Sequence, residues 1–149
     1  MRKKKKKKPT TVSTFGKKAC KIICKYARLR DTDINGVGYC CSCGKRLSWS
    51  EGQGGHFQPV TNSYNLACVD ERNVHLQCSY CNCAMAGNPA GYAQFMLDKY
   101  GKEVIEEIKI LSKQPPDKAE KLCTFFNAIE KYTDLCHALA EGKNFSVRV

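Results

Sequence analysis

Two pairs of cysteines with the same short spacing constrain the fold of this 149-residue chain more than any other feature. Two residues separate Cys40 from Cys43 and Cys78 from Cys81, and 34 residues lie between the pairs. Because a two-residue gap lets both sulfurs of one turn face a single ion, the four thiolates predict one tetrahedral Zn²⁺ site. A closed all-cysteine site stabilises a fold and leaves no coordination position for chemistry.

The total of eleven cysteines is odd, and no signal-peptide core follows the N-terminal lysines, so metal binding is favoured over disulfides. Cys41 and Cys83 leave the ligand set open, because each could replace a neighbour by a shift in register. The other five lie outside the pairs, and those on predicted helices are interpreted as small core residues: Cys20, Cys24, Cys68, Cys123 and Cys136.

Positive charge is concentrated at the N-terminus. Seven of the 25 basic residues lie between Arg2 and Lys8, which leaves 18 basic residues against 14 acidic ones elsewhere. Such a run repels itself, so we expect a disordered tail that gathers phosphates by releasing counterions. The alternatives are a solubilising tail, a localisation signal or an expression artefact. No apolar stretch is long enough to cross a membrane, so a cytoplasmic protein is expected.

Hydrophobic periodicity and turn residues predict an α+β protein with helices flanking a cysteine-rich centre. Helices are expected at 17–29, 88–112 and 117–140, and Gly101 should break or bend the second of them. Short strands and loops are expected at 40–83, with a tight turn at Gly52, Gly54 and Gly55 and a strand at 74–76. The domain prediction is a basic tail at 1–14, a zinc-stapled domain at 15–112, and a helical extension at 113–149 that either packs on the domain or mediates dimerisation.

A histidine and two asparagines are ordered around the cysteine pairs. His56 lies between the pairs in Gly-Gly-His-Phe, Asn73 precedes the second pair in Asn-Val-His-x-Gln-Cys, and Asn82 directly follows Cys81. This order resembles the HNH nucleases, and more closely the NinG (Rap) recombination endonucleases of lambdoid phages, which cut branched DNA. The layout is also similar to that of phage endonuclease VII, a Holliday-junction resolvase. The similarity covers roughly residues 26–100 and includes Arg-Leu-Arg-Asp at 28–31 and Gly-Asn-x3-Tyr at 87–92.

The resemblance implies a ββα-metal module that hydrolyses DNA phosphodiesters in a phage or prophage protein of a bacterial host. His56 would be the general base, because an imidazole can accept a proton from water near neutral pH. Asn82 would bind a catalytic Mg²⁺ or Mn²⁺ ion, and Asn73 would hydrogen-bond across the loop and orient His56. The plainer interpretations are a loop histidine, a turn-forming asparagine and a helix cap.

Gly55 departs from the pattern, since many HNH enzymes have aspartate before the histidine. The metal then lacks an obvious carboxylate, and Asp31 or His75 could supply the missing ligand. Several basic side chains could contact DNA phosphates near the cut, or could simply be solvated surface charges. They are Arg28, Arg30, Lys45, Arg72, Lys3, Lys4, Lys5, Lys6, Lys7 and Lys8.

Three other functions are compatible with parts of this pattern, although one of them lacks a required motif. A non-catalytic zinc module could bind nucleic acid without cleaving it, and an HNH nuclease could act on linear duplex rather than on junctions. A zinc deaminase requires a His-x-Glu motif, which Phe57-Gln58 does not provide. A resolvase that cuts two strands symmetrically would favour a homodimer.

Overall fold

The computed structural model describes residues 11–61 and 64–149. The predicted lysine tail therefore lies outside the described residues. In chain order the elements are α1 (Val12–Arg30), β1 (Val37–Tyr39), β2 (Arg46–Ser48), β3 (Gln53–His56), two 3₁₀ turns (Leu66–Val69 and Glu71–Asn73), β4 (Val74–Gln77), a π-helical turn (Tyr80–Ala84), α2 (Pro89–Lys113) and α3 (Lys118–Glu141). The described chain is thus a mixed α+β protein, and none of its helices is both long and apolar enough to span a bilayer.

Helix α1 begins at Val12, five residues before the predicted start at position 17 and inside the segment expected to be tail (1–14), so that boundary was wrong. The Thr11 side chain accepts a hydrogen bond from the Thr14 N–H and so caps the helix. The apolar face of α1, with Ile23 fully buried, packs on α3, whose Phe125 is also fully buried. The two helices and the 3₁₀ turn Leu66–Val69 enclose the main core.

The strands form two antiparallel hairpins, β1–β2 and β3–β4. In the second hairpin Gln53 is opposite Gln77, Gly55 is opposite His75, and His56 is opposite Val74. One face of this hairpin packs on α1 and the other on α2, so it is the layer between the helices.

The prediction of a tight turn at Gly54 and Gly55 was wrong, because both residues lie within β3. A Cβ atom on Gly54 would lie 2.6 Å from Cys24 Cα, and one on Gly55 would overlap the Gln77 side chain. Both glycines are therefore required by close approach of neighbouring elements and not by a turn.

Helix α2 is bent at Gly101, as expected. Asn88 caps the helix and Pro89 occupies its first turn. Gly101 has φ of 81° and ψ of 176°, a conformation that glycine adopts without the strain other residues would incur. The two halves of α2 therefore run in different directions.

Candidate metal and catalytic site

The four predicted zinc ligands converge. The Sγ atoms of Cys40, Cys43, Cys78 and Cys81 all lie within 4.8 Å of one another, and the Cys43 and Cys78 sulfurs are 3.8 Å apart. Tetrahedral geometry with Zn–S bonds of about 2.3 Å requires sulfur separations of about 3.8 Å. These four cysteines could therefore hold a zinc ion.

Local hydrogen bonds stabilise the turns that carry the two cysteine pairs. Gly44 donates to the Cys40 carbonyl with a φ of 72°, which closes the first turn. Burial alone would raise the pKa of Cys78, but hydrogen bonds from the Cys81 backbone and from neighbouring thiols lower it. Cys41 and Cys83 lie outside the cluster, so the register ambiguity is resolved. Cys123 is exposed, contrary to the expectation that the helical cysteines are core residues.

His56 is the last residue of β3, at the end of the hairpin distant from the cysteines. Its Nε2 lies 3.0 Å from the Cys68 carbonyl oxygen. When Nε2 donates this hydrogen bond, Nδ1 carries the lone pair that can accept a proton. The Cys20 thiol also approaches Cys68 and His56, and its pKa is raised, first by the hydrogen bond with Cys68 and then by burial.

Asn73 is fully buried and holds the loop around His56 without contacting the imidazole. Its Nδ2 donates to the Gln58 and Ala67 carbonyls at 3.1 and 2.9 Å, and its Oδ1 accepts from the Gln58 N–H at 2.7 Å. Ala67 precedes the residue whose carbonyl meets His56. Asn73 thus fixes both the chain after His56 and the turn that His56 contacts.

Asn82 lies at the opposite end of β3 from His56. Its Nδ2 donates to Gln53 Oε1 at 2.7 Å. Gln53 lies three positions before His56 along the strand, a distance of roughly 10 Å. Gln77, opposite Gln53, is fully buried, and its Oε1 has no hydrogen-bond partner among the described residues. That oxygen lies over Gly55, on the face of the hairpin opposite to the His56 side chain, because successive residues of a strand point to opposite faces.

The structure places Asp31 away from His56. Asp31 accepts from Arg30 and from the Leu76 N–H, on the edge of β4 that faces away from β3. Burial would raise the Asp31 pKa, but the hydrogen bonds and charge of Arg30 lower it. Arg30 also donates to the Val74 carbonyl, so this ion pair covers an otherwise open strand edge.

His75 lies on the α2 side of the hairpin and is fully buried. Its Nδ1 is 3.2 Å from the Tyr92 hydroxyl and its Nε2 is 3.0 Å from the Tyr100 hydroxyl. Burial lowers its pKa to about 3, against a raising effect of Asp31. With both nitrogens occupied, His75 offers no lone pair to a cation and is a core residue.

The proposed phosphate-contacting cations differ in availability. Arg28 donates to the Trp49 carbonyl and stacks on its ring at 4.1 Å, and Arg72 pairs with Asp70 and Glu107. Together with Arg30, these arginines have intramolecular partners. Lys45 is exposed beside the first cysteine pair. Lys3 to Lys8 lie outside the described residues.

A groove of about 740 Å³ opens beside His56. Phe57 and Pro59 form one wall with the end of β3, and the two halves of α2 contribute Leu97 and Ile105 on either side of the Gly101 bend. Lys102, Glu106 and Lys109 also line this space, and Lys109 pairs with Glu106 at 2.7 Å. The groove thus combines apolar walls with Lys102 and one ion pair next to a histidine.

Sequence reasoning did not identify Gln53, Gln77 or Cys68 as neighbours of the site. Gln77 directly precedes Cys78 in the predicted strand region, but only the strand register places it opposite Gln53. The Cys68 contact depends on a turn that no periodicity indicates.

Fold and cysteine cluster together define a small α+β protein with a four-cysteine site that could bind zinc. The family model described as "Bacteriophage Lambda NinG protein" matches residues 1–141. The chain belongs to the NinG family.

Curated relatives support the same family. The chain is 32% identical over 93 residues to "Protein ninG" of Escherichia phage 933W, and 31% identical over 93 residues to the proteins of that name from Escherichia phage lambda and Salmonella phage P22. Each alignment covers 62% of this chain and 43% of the relative. The matched part thus spans less than half the length of these relatives. No solved structure matches.

Proposed function

We propose that this chain is a divalent-metal-dependent DNA endonuclease that cuts phosphodiesters in branched recombination intermediates such as Holliday junctions and D-loops. The observation that carries the proposal is the support of His56. The histidine ends a strand whose other end is fixed by the cysteine cluster, it contacts the Cys68 carbonyl, and Asn73 holds the adjoining turn. This is the HNH order of residues with the buried middle asparagine in a positioning role.

In this mechanism Nδ1 of His56 accepts the proton of a water molecule that attacks phosphorus. Nε2 keeps its proton on the Cys68 carbonyl, which fixes the tautomer and the ring direction. Lys102, across the groove, is placed to attract the phosphate backbone, whereas Lys109 is paired with Glu106. Hydrolysis forms a bond between the water oxygen and phosphorus and breaks the P–O bond to the 3′ oxygen, which takes a proton from solvent and leaves as an alcohol.

The donor set fits a loosely held Mg²⁺ or Mn²⁺ ion. The carboxamides of Asn82 and Gln77 offer hard oxygen atoms, and the buried Gln77 Oε1 has no other partner among the described residues. Gln53 Oε1 already accepts from Asn82 Nδ2 and from the Cys83 thiol. Mg²⁺ commonly keeps several waters and shares substrate phosphates, so few protein ligands suffice. When bound, the ion would stabilise negative charge on the phosphate and the leaving oxygen.

The test is cleavage of a labelled four-way junction and of the matched linear duplex with and without Mg²⁺. His56→Ala should slow cleavage by roughly 10²- to 10⁴-fold, the usual contribution of a general base. His137→Ala is the matched control, because His137 is an exposed histidine on α3. Zinc content is measured on each protein to show that the fold is retained.

Three results would contradict parts of the proposal. Cleavage by His56→Ala at the wild-type rate would remove the general base. Failure of the zinc-loaded wild type to cut any DNA that it binds would favour the non-catalytic module. Equal cleavage of junction and duplex would favour an HNH nuclease acting on linear DNA.

A second experiment examines the cation. Asn82→Ala and Gln77→Leu should raise the Mg²⁺ concentration needed for half-maximal cleavage, whereas Asn127→Ala, at an exposed position on α3, should leave it unchanged. An unchanged Mg²⁺ dependence in both site variants would assign the metal to other ligands.

The proposal includes action in the cytoplasm of the bacterial host and a homodimer, because symmetric resolution of a junction needs two active sites. Light scattering of the protein alone and with junction DNA tests the dimer. A monomeric mass in both states would contradict it.

A further inference from the structure

Two tyrosines beside the cysteine cluster have no role in the fold. Tyr39 and Tyr80 retain 63% and 66% of their accessible surface, more than the other exposed large hydrophobic residues among those described. Neither hydroxyl has a hydrogen-bond partner within residues 11–61 and 64–149. By contrast, the buried Tyr26, Tyr92 and Tyr132 each donate to a protein oxygen.

The cysteine cluster fixes the backbone at both tyrosines. Tyr39 immediately precedes Cys40, and Tyr80 immediately precedes Cys81. The sulfurs of these cysteines lie within 4.8 Å of each other, and one peptide unit, about 3.8 Å between Cα atoms, separates each tyrosine from its cysteine. A metal-bound cluster would therefore hold the Cα atoms of the two tyrosines close to the same ion.

Cations surround Tyr39. Arg46 is its direct partner across the β1–β2 hairpin, so both side chains emerge from the same face. Arg46 and the adjacent Lys45 are exposed, and Lys99 lines a shallow cavity of about 270 Å³ together with Tyr39. Asp31 also lines this cavity, but its charge is paired with Arg30.

We propose that Tyr39 and Tyr80 form a stacking surface for unpaired bases of a single DNA strand, with Lys45, Arg46 and Lys99 contacting its phosphates. Exposed rings stack on bases only where the bases are free of their own helical stack, so the surface favours single strands over continuous duplex. Nearby cations supply the phosphate attraction. The inference rests on DNA as the partner in the proposed function, but not on catalysis by His56.

Binding of a labelled oligothymidylate and of a linear duplex, measured by fluorescence anisotropy without added Mg²⁺, tests the surface. Each Tyr→Ala change at 39 or 80 should weaken single-strand binding by about 5- to 150-fold, as expected for loss of one base stack. Duplex affinity should change less than threefold. Tyr→Phe variants should retain wild-type affinity, because a phenyl ring still stacks.

Two controls keep the outcome interpretable. Phe126→Ala removes a half-exposed aromatic ring on α3 and should leave binding unchanged. Tyr→Leu variants keep apolar bulk and should bind as weakly as the alanine variants, and zinc content confirms an intact cluster. Three results would overturn the proposal. The first is wild-type single-strand affinity of the zinc-loaded Tyr39→Ala/Tyr80→Ala protein, and the second is an equal loss of affinity for duplex and single strand. The third is wild-type single-strand affinity of the leucine variants. Loss of cleavage without loss of binding would instead concern the His56 site.

Discussion

A Cβ atom on Gly55 would overlap the carboxamide oxygen of Gln77, so the two residues fit together only because position 55 has no side chain. The same oxygen is buried and unpaired among the described residues. This contact explains the departure at position 55 from HNH enzymes with aspartate there: a carboxylate at this position would displace Gln77.

Gly55→Ala should therefore destabilise the protein by about 1–3 kcal/mol through overpacking. Urea unfolding measures the change. Gly142→Ala is the control, because a Cβ there would meet its nearest neighbour at 3.7 Å, an ordinary contact. Equal stability of the two variants would show that Gln77 moves aside without cost.

Zinc should bind with a stoichiometry of one per chain and should be required for folding. A structural zinc site contributes on the order of 10 kcal/mol, which exceeds the stability of most small domains. Cys78→Ser should lose the metal and the cooperative unfolding transition. Cys123→Ser, which changes an exposed cysteine outside the cluster, should keep both. Metal analysis and calorimetry give the answer, and a folded, zinc-free Cys78→Ser protein would refute the prediction.

Arg30 should matter for stability and Lys45 for DNA binding. Removing Arg30 leaves the Val74 and Glu71 carbonyls without this donor and the partly buried Asp31 carboxylate without its cation, so Arg30→Ala should cost about 3 kcal/mol. Lys45→Ala should leave the unfolding free energy unchanged and weaken DNA binding in low salt. Denaturation curves and binding isotherms on both proteins separate the roles. A stable Arg30→Ala protein with weak DNA binding would restore Arg30 as a phosphate contact.

His75 should make folding stability depend on pH. Burial lowers its folded-state pKa to about 3 from an ordinary value of 6.5. Between these values the unfolded chain binds a proton that the folded chain does not, so stability should fall as the pH decreases from 6.5 towards 3. The contribution to the slope is at most about 1.4 kcal/mol per pH unit.

The pH experiment compares zinc-loaded wild type with His75→Gln between pH 6.5 and 4. Acid weakens zinc binding in both proteins, so the difference between their slopes reports His75. His137→Gln, at an exposed position, should have the wild-type slope. Parallel curves for wild type and His75→Gln would contradict the buried, neutral state of His75.

Local spacing predicted the zinc cluster, and periodicity with caps and proline predicted the three helices. Cys40 and Cys43 meet because the geometry of one turn brings them together, and this information lies within four residues. Gly54 was misjudged because its cause lies on α1: the Cys24 backbone comes so close that no side chain fits. Sequence alone carries no record of such an approach.

The site residues divide in the same way. The sequence gives the order of His56, Asn73 and Asn82. It does not show whether nearby side chains are free to bind a metal ion. Asp31 accepts from its neighbour Arg30 and from the Leu76 N–H, 45 residues along the chain. His75 is enclosed by Tyr92 and Tyr100, which lie 17 and 25 residues further on. A ligand prediction needs to know which lone pairs are already used, and only the tertiary structure provides this.

The bend in α2 has a further consequence for how such a chain can diversify. Gly101 alone determines the angle between the two helical walls beside His56, while the walls themselves are ordinary helix. Moving that hinge by one residue would rotate the distal wall by about 100°, as the helical repeat requires, and present a different set of side chains to the same histidine. A single glycine could therefore change which side chains line the groove without any alteration of the cysteines or of the β3–β4 hairpin.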